Sequence, residues 1–238
     1  NISWIKKSQG INNIWISSLA ANNGKLIIGS YGSGLFTYEN NNLKRINLAT
    51  DFMFIIDLKV YNNQIYVLSS SWVPTLDVKF YYSSDNGIRW KIVNDGLDTG
   101  GLQCIDANNK YIYTGTWYGL FRKPIYGNTW QKLTNGIPNN VNISSVASSD
   151  SVVIVTNGTS EIYRSTDYGS SWQSMYVQNL FSVTRVYSKN IGEFYLGCAQ
   201  VNKLFKSSDY GLTWQNVNIP LFNSSIQSIY IDKNELFV

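Results

Sequence analysis

Ser165-Thr166-Asp167-Tyr168-Gly169-Ser170-Ser171-Trp172 decides the fold, because its pattern recurs at Ser83-Ser84-Asp85-Asn86-Gly87-Ile88-Arg89-Trp90 and at Ser207-Ser208-Asp209-Tyr210-Gly211-Leu212-Thr213-Trp214. All three read S-x-D-x-G-x-x-W. A degenerate copy, Lys123-Pro124-Ile125-Tyr126-Gly127-Asn128-Thr129-Trp130, keeps only the Gly and the Thr-Trp end. The four tryptophans stand at 90, 130, 172 and 214, so the chain repeats every 40 to 42 residues. That period is the size of one four-stranded propeller blade.

Each motif is preceded by short apolar runs separated by turn residues, which predicts strands a to d in a fixed order. In the fourth unit these are Ile143 to Ser148, Val152 to Thr156, Glu161 to Ser165 and Ser171 to Tyr176. The third unit repeats them at Leu102 to Ala107, Tyr111 to Thr116, Gly119 to Lys123 and Thr129 to Leu133. The fifth does so at Val183 to Tyr187, Glu193 to Gly197, Lys203 to Ser207 and Thr213 to Val217. The first unit, about 14 to 48, has Tyr38-Glu39-Asn40-Asn41-Asn42 in place of the box yet keeps the blade. The second, about Ile55 to Val93, carries an insertion from Ser69 to Lys79 between strands b and c. A sixth unit starts with Ile226 to Ile231 and Glu235 to Val238, and Ile2 to Lys7 reads as an isolated strand d. The expectation is all-β: a six- or seven-bladed β-propeller of four-stranded antiparallel blades, forming one domain over residues 1–238. About five blades are complete and partial blades stand at both ends, as in a fragment of a longer chain.

Composition agrees with this reading. The chain is 44% hydrophobic and 14% charged, with 8 Trp, 17 Tyr and 10 Phe against 4 Pro, a balance that favours pleated, half-buried surfaces. Net charge is +4 and the basic residues are scattered, so no nucleic-acid footprint forms. With no His, every His-dependent triad or zinc site is excluded within the chain. Cys104 and Cys198 have no metal spacing and read as small buried apolar residues. No cofactor and no metal is expected. No apolar stretch approaches the roughly 20 residues of a transmembrane segment.

The box lies on the turn from strand c to strand d. Gly87, Gly169 and Gly211 permit positive φ there, Asp85, Asp167 and Asp209 accept backbone N–H groups across the turn, and Trp90, Trp172 and Trp214 cover the hairpin. These are structural assignments. A calcium loop would need further oxygen ligands and a distal Glu, which the spacing does not supply.

With these boxes at blade spacing, the sequence resembles the Asp-box (BNR repeat) propellers: sialidases, sortilin-type receptors, certain two-propeller glycoside hydrolases and Ycf48-like assembly factors. The resemblance implies the fold and leaves the activity open. A sialidase would imply an Arg cluster and a Tyr–Glu nucleophile pair, but only Arg45, Arg89, Arg122, Arg164 and Arg185 occur, and Arg122 aligns with Arg164 as a repeat position. Glu39, Glu161 and Glu193 lie at strand borders or loops and read as solvent-exposed. Among the non-box acids Asp57, Asp77, Asp98 and Asp106, spacing singles out no catalytic pair.

In a four-stranded blade the a–b and c–d turns share one end and the b–c and d–a connections share the other. The resemblance places ligands at the end opposite the boxes. The candidate binding residues there are Tyr31, Trp72 and Asp77 of the insertion, and Trp117-Tyr118, with Trp72 and Asp77 expected beside Trp117 and Tyr118. The functional expectation is a non-catalytic interaction module, extracellular or at the cell surface, that binds a glycan or a protein surface. The alternatives are a glycan-active enzyme and an assembly factor for a membrane complex.

Overall fold

A computed structural model describes residues 14–40, 42–48, 53–71, 77–98, 100–199, 203–218, 225–232 and 235–237. These form two compact units, Asn1–Val93 and Asn94–Val238, each described by itself. Among the described residues there is no helix.

The first unit holds two antiparallel sheets. One runs β1 (Ile16–Asn22), β2 (Lys25–Ser30), β3 (Gly34–Glu39), β4 (Asn42–Ile46) in spatial order, and the other β5 (Phe54–Tyr61), β6 (Gln64–Ser71), β7 (Asp77–Ser83), β8 (Lys91–Ile92). The first blade therefore keeps all four strands without a box, its last hairpin turning through Asn40 at positive φ. In the second blade the inserted residues are largely strand: Ser69, Ser70 and Ser71 pair with Lys79, Val78 and Asp77, so the b–c hairpin is lengthened at both sides. Residues 72–76, which include Trp72, lie outside the described residues.

The second unit holds three further four-stranded sheets, each in sequence order. The first comprises β9 (Leu102–Ala107), β10 (Tyr111–Thr116), β11 (Gly119–Pro124) and β12 (Gln131–Leu133). The second comprises β13 (Ser145–Ser149), β14 (Val152–Thr156), β15 (Ile162–Ser165) and β16 (Gln173–Met175), and the third β17 (Val183–Asn190), β18 (Glu193–Cys198), β19 (Leu204–Ser207) and β20 (Gln215–Val217). A two-stranded pair follows, β21 (Tyr230–Asp232) and β22 (Glu235–Phe237). The expected isolated strand at Ile2 to Lys7 lies outside the described residues.

Burial follows strand order. Every residue of β14 is buried, and in β10 and β18 all but the first, whereas β16 and β20 face solvent along most of their length. A strand covered on both faces must be apolar at every position, which is why Val152-Val153-Ile154-Val155 is continuous rather than alternating. One core lies between the sheets of β9–β12 and β13–β16, built on Tyr113, Ile143, Val153, Tyr163 and Trp172. The next packs Ile154, Val186, Leu196 and Phe205. Cys104 and Cys198 are buried and not joined in a disulfide.

The end of strand b carries a repeat that the sequence reading passed over. Gly29, Gly115 and Gly197 precede Ser30, Thr116 and Cys198, and a side chain at any of the three glycines would strike the following blade. The atoms in the way are those of Ile55 in the first unit, and of Ile143 and Ile226 in the second. Absence of a Cβ lets adjacent blades close.

In the boxes the serine does as much as the aspartate. Ser165 Oγ accepts the Gly169 N–H at 2.8 Å and donates to Asp167 Oδ1 at 2.7 Å, while Asp167 accepts the Ser171 N–H at 2.9 Å and the Ser171 hydroxyl at 2.7 Å. Ser83–Asp85–Arg89 and Ser207–Asp209–Thr213 repeat this arrangement. Gly87, Gly169 and Gly211 have positive φ, and so do Asn86, Tyr168 and Tyr210 before them. The indole N–H of Trp90 and of Trp172 donates to the carbonyl of the box glycine at 3.0 Å, a bond that Trp214 does not make.

The degenerate copy closes by different chemistry. Lys123 replaces the serine, Ile125 replaces the aspartate, and Gly127 is not at positive φ. The buried Lys123 ammonium donates to the carbonyls of Pro124 at 3.1 Å and Gly127 at 2.8 Å. Burial pushes its pKa down to about 8.

Candidate functional site

At the end opposite the boxes, each blade must turn from strand b to strand c beside the residue that leads into strand a. A backbone bond fixes this junction in three blades. The N–H after strand b donates to that leading residue's carbonyl: Tyr31 to Trp15 at 2.7 Å, Trp117 to Gly101 at 3.0 Å and Ala199 to Ser182 at 2.9 Å. Positions 31, 117 and 199 are therefore equivalent, as are 15, 101 and 182.

The junction of the third blade, within the second unit, presents two aromatic rings. Trp117 is 48% and Tyr118 45% exposed, yet neither is loose. The Thr116 hydroxyl accepts the Tyr118 N–H at 3.0 Å and donates to the Gly119 carbonyl at 3.1 Å, which sets the turn. Below the rings lies Gly100-Gly101. A methyl group on Gly101 would stand 2.6 Å from Trp117 Cε2, and one on Gly100 2.6 Å from Tyr118 Cδ2. The rings lie against the bare backbone of these glycines, and about half of each surface is open to solvent. Asp98, an exposed carboxylate, borders them: its Oδ1 accepts the Gly100 N–H at 3.1 Å.

In the first unit the equivalent junction holds Trp15 and Tyr31, both exposed, with the Tyr31 ring 4.5 Å from that of Phe54. Trp15 was missed in the sequence, although its place before strand a, opposite a turn aromatic, follows from the repeat once the strands are aligned. Asp77 begins β7, paired through its backbone with Ser71. Trp72 lies outside the described residues, so its nearness to Trp117 stands as an expectation.

Other polar groups are engaged structurally. Asp106, 5% exposed, accepts both the N–H and the hydroxyl of Ser148 at 2.6 and 2.7 Å, tying two adjacent first strands together. Arg122 and Arg164 reach the next blade's box, donating to the carbonyls of Tyr168 and Tyr210, each at 2.6 Å. Glu193 departs from the solvent-exposed expectation: it pairs with Lys206 at 2.7 Å and accepts the Tyr195 hydroxyl at 2.6 Å. Tyr163 similarly donates to Glu161, and burial first, then the carboxylate, push its pKa up to about 12. A phenol so placed is held protonated, the opposite of an activated nucleophile. Among the described residues no three His, Cys, Asp or Glu side chains gather as metal ligands.

The chain matches no family model and no curated protein. Solved structures do resemble it. Catalytically inactive virginiamycin B lyase from Staphylococcus aureus with quinupristin has a TM-score of 0.70 at 14% identity, over 91% of this chain and 74% of that one. YCF48 bound to D1 peptide gives 0.67 at 13%, over 92% and 71%. The GH74 enzyme of Niastella koreensis gives 0.66 at 19% over 85% of this chain, which spans only 37% of the enzyme's length. All are β-propellers, and the likeness shows that fold for this chain.

Proposed function

We propose that the protein is a non-catalytic interaction module of the Asp-box propeller kind that binds a glycan or protein partner at the end opposite its boxes, with Trp117 and Tyr118 as the anchor. One observation carries the reading: two half-exposed rings lie against Gly100-Gly101 on a hydrogen-bonded turn. Exposed aromatics fixed before binding lose little conformational freedom when a partner arrives, which is how anchor residues contribute affinity. YCF48 bound to D1 peptide supports a propeller that holds a peptide, while the GH74 likeness supports a glycan partner. An extracellular or cell-surface location belongs to the same proposal and is checked by fractionating the source cells.

The test is a glycan array and a displayed-peptide library probed with the wild-type chain, Trp72→Ala, Trp117→Ala and Asp167→Ala. Trp72→Ala and Trp117→Ala each weaken binding tenfold or more at an unchanged melting temperature, whereas Asp167→Ala melts earlier and still binds. The reverse pattern would place function at the box end. Turnover of aryl glycosides that disappears on removing one non-box carboxylate would make the protein a hydrolase.

A further inference from the structure

We infer that the platform of Trp117 and Tyr118, with Asp98 at its border, docks a lysine or arginine side chain of a protein partner. The inference rests on the binding role proposed above for this end and adds the chemistry of what is bound.

Ring and carboxylate both border one glycine: a methyl group on Gly100 would lie 2.6 Å from Tyr118 Cδ2 and 3.2 Å from Asp98 Oδ1. The Gly100 N–H donates to Asp98 Oδ1 at 3.1 Å, so the carboxylate is tethered to the same glycine that Tyr118 covers. Asp98 makes no ion pair among the described residues. Its loop, from Asn94 to Gly101, carries Asp95 and Asp98 and no Lys or Arg, in a chain whose net charge is +4. The side chain of Lys132, which borders Gly119 in the same turn, donates to Asn140 Oδ1 at 3.4 Å.

A cation is attracted to aromatic faces and to a carboxylate together, and neutral ligands use only the first. Lysine and arginine carry their charge at the end of an apolar stem. The stem can lie along the exposed rings while the head reaches Asp98. A sugar amine is attached to the ring itself and has no such stem, which favours a basic protein segment over an amino sugar.

Fluorescence anisotropy of a labelled peptide of alternating glycine and lysine tests this against the same peptide with norleucine for lysine, and against glucosamine oligomers. Asp98→Asn is the decisive variant, because it keeps the oxygen that accepts the Gly100 N–H and removes only the charge. The basic peptide binds the wild-type chain, binds Asp98→Asn at least tenfold more weakly, and loses affinity as salt is raised; the norleucine peptide binds weakly to both. Equal binding by Asp98→Asn, equal binding of the norleucine peptide, preference for the glucosamine oligomers, or no binding of the basic peptide at millimolar concentration would each overturn the inference. If Trp117→Ala then still abolishes capture of a neutral probe, the platform stands and only its charge preference falls. If Trp117→Ala alters no binding at all, both readings fall together.

Discussion

Arg122 of one blade donates to the carbonyl oxygen of Tyr168 in the box turn of the next, at 2.6 Å, and Arg164 makes the same bond to Tyr210, again at 2.6 Å and again 46 residues along. The repeat thus fastens neighbouring blades through a strand-c cation and a turn carbonyl. A hydrogen bond to a charged group contributes about 1.5 to 3 kcal/mol. Arg122→Met and Arg164→Met should each lower unfolding free energy in urea by roughly that amount. The double variant should lose close to the sum, since each bond acts on its own interface.

Removing the box carboxylate leaves turn donors without their acceptor, so Asp167→Ala and Asp209→Ala should each cost about 1 to 3 kcal/mol by thermal melt. Acid titration adds a second reading. Burial alone would raise Asp167, but hydrogen bonds from the Ser171 and Ser165 hydroxyls and from backbone N–H groups outweigh it and hold the carboxyl below its ordinary value. In Asp85 the Arg89 N–H and then its side chain bring the pKa down to about 2. A pKa depressed in the folded chain gives stability that is full above the unfolded value near 4 and is lost as pH falls through the folded value. The stability gap between the wild-type chain and Asp85→Asn should therefore narrow from about pH 4 toward pH 2.

Gly115→Ala should destabilise the second unit by about 1 to 3 kcal/mol, because the added methyl would meet the Ile143 carbonyl oxygen first, then Cys104 Sγ at 2.6 Å and Ile143 Cγ2 at 2.7 Å. Shortening the obstacle should recover part of the loss. Cys104→Ala, which removes the obstructing Sγ, in the Gly115→Ala background is the check, by comparison of both single variants with the double.

Lys123 predicts an effect of the same sense as the boxes, stability rising with pH, but in the alkaline range. Its folded pKa is lowered to about 8 by burial, below the unfolded value near 10.4. Between those values the unfolded chain holds a proton that the folded chain has released, so stability rises with pH across that window. The melting temperature of the wild-type chain should gain on that of Lys123→Met between pH 8 and pH 10. A gap that stays constant over this range would mean that the ammonium keeps its proton while buried.

The spacing of four tryptophans by itself determined the blade, because a repeat of that length can bury its apolar faces only by stacking on copies of itself. Val152 to Thr156 was legible as a strand because a continuous apolar run between turn residues leaves one structure available. The box turn was legible too, since Gly169 and Asp167 are local and act within a few residues of one another. Strand ends near the boxes were less so: strand d of the fourth blade is Gln173–Met175 rather than Ser171 to Tyr176, as Ser171 and Trp172 are consumed by the turn. Only tertiary structure decided what lies under the aromatic pair. Nothing in Gly100-Gly101, some sixteen residues before Trp117-Tyr118, announces a bed for two rings, because a glycine read alone signals a turn and not a close approach. The same holds for Asp98, one non-box acid among several until the fold ties it to the glycine that Tyr118 covers. Hydrophobic period and turn chemistry act between near neighbours and are written into short stretches. A binding surface is made where separate turns converge, and that convergence is a property of the packed blades.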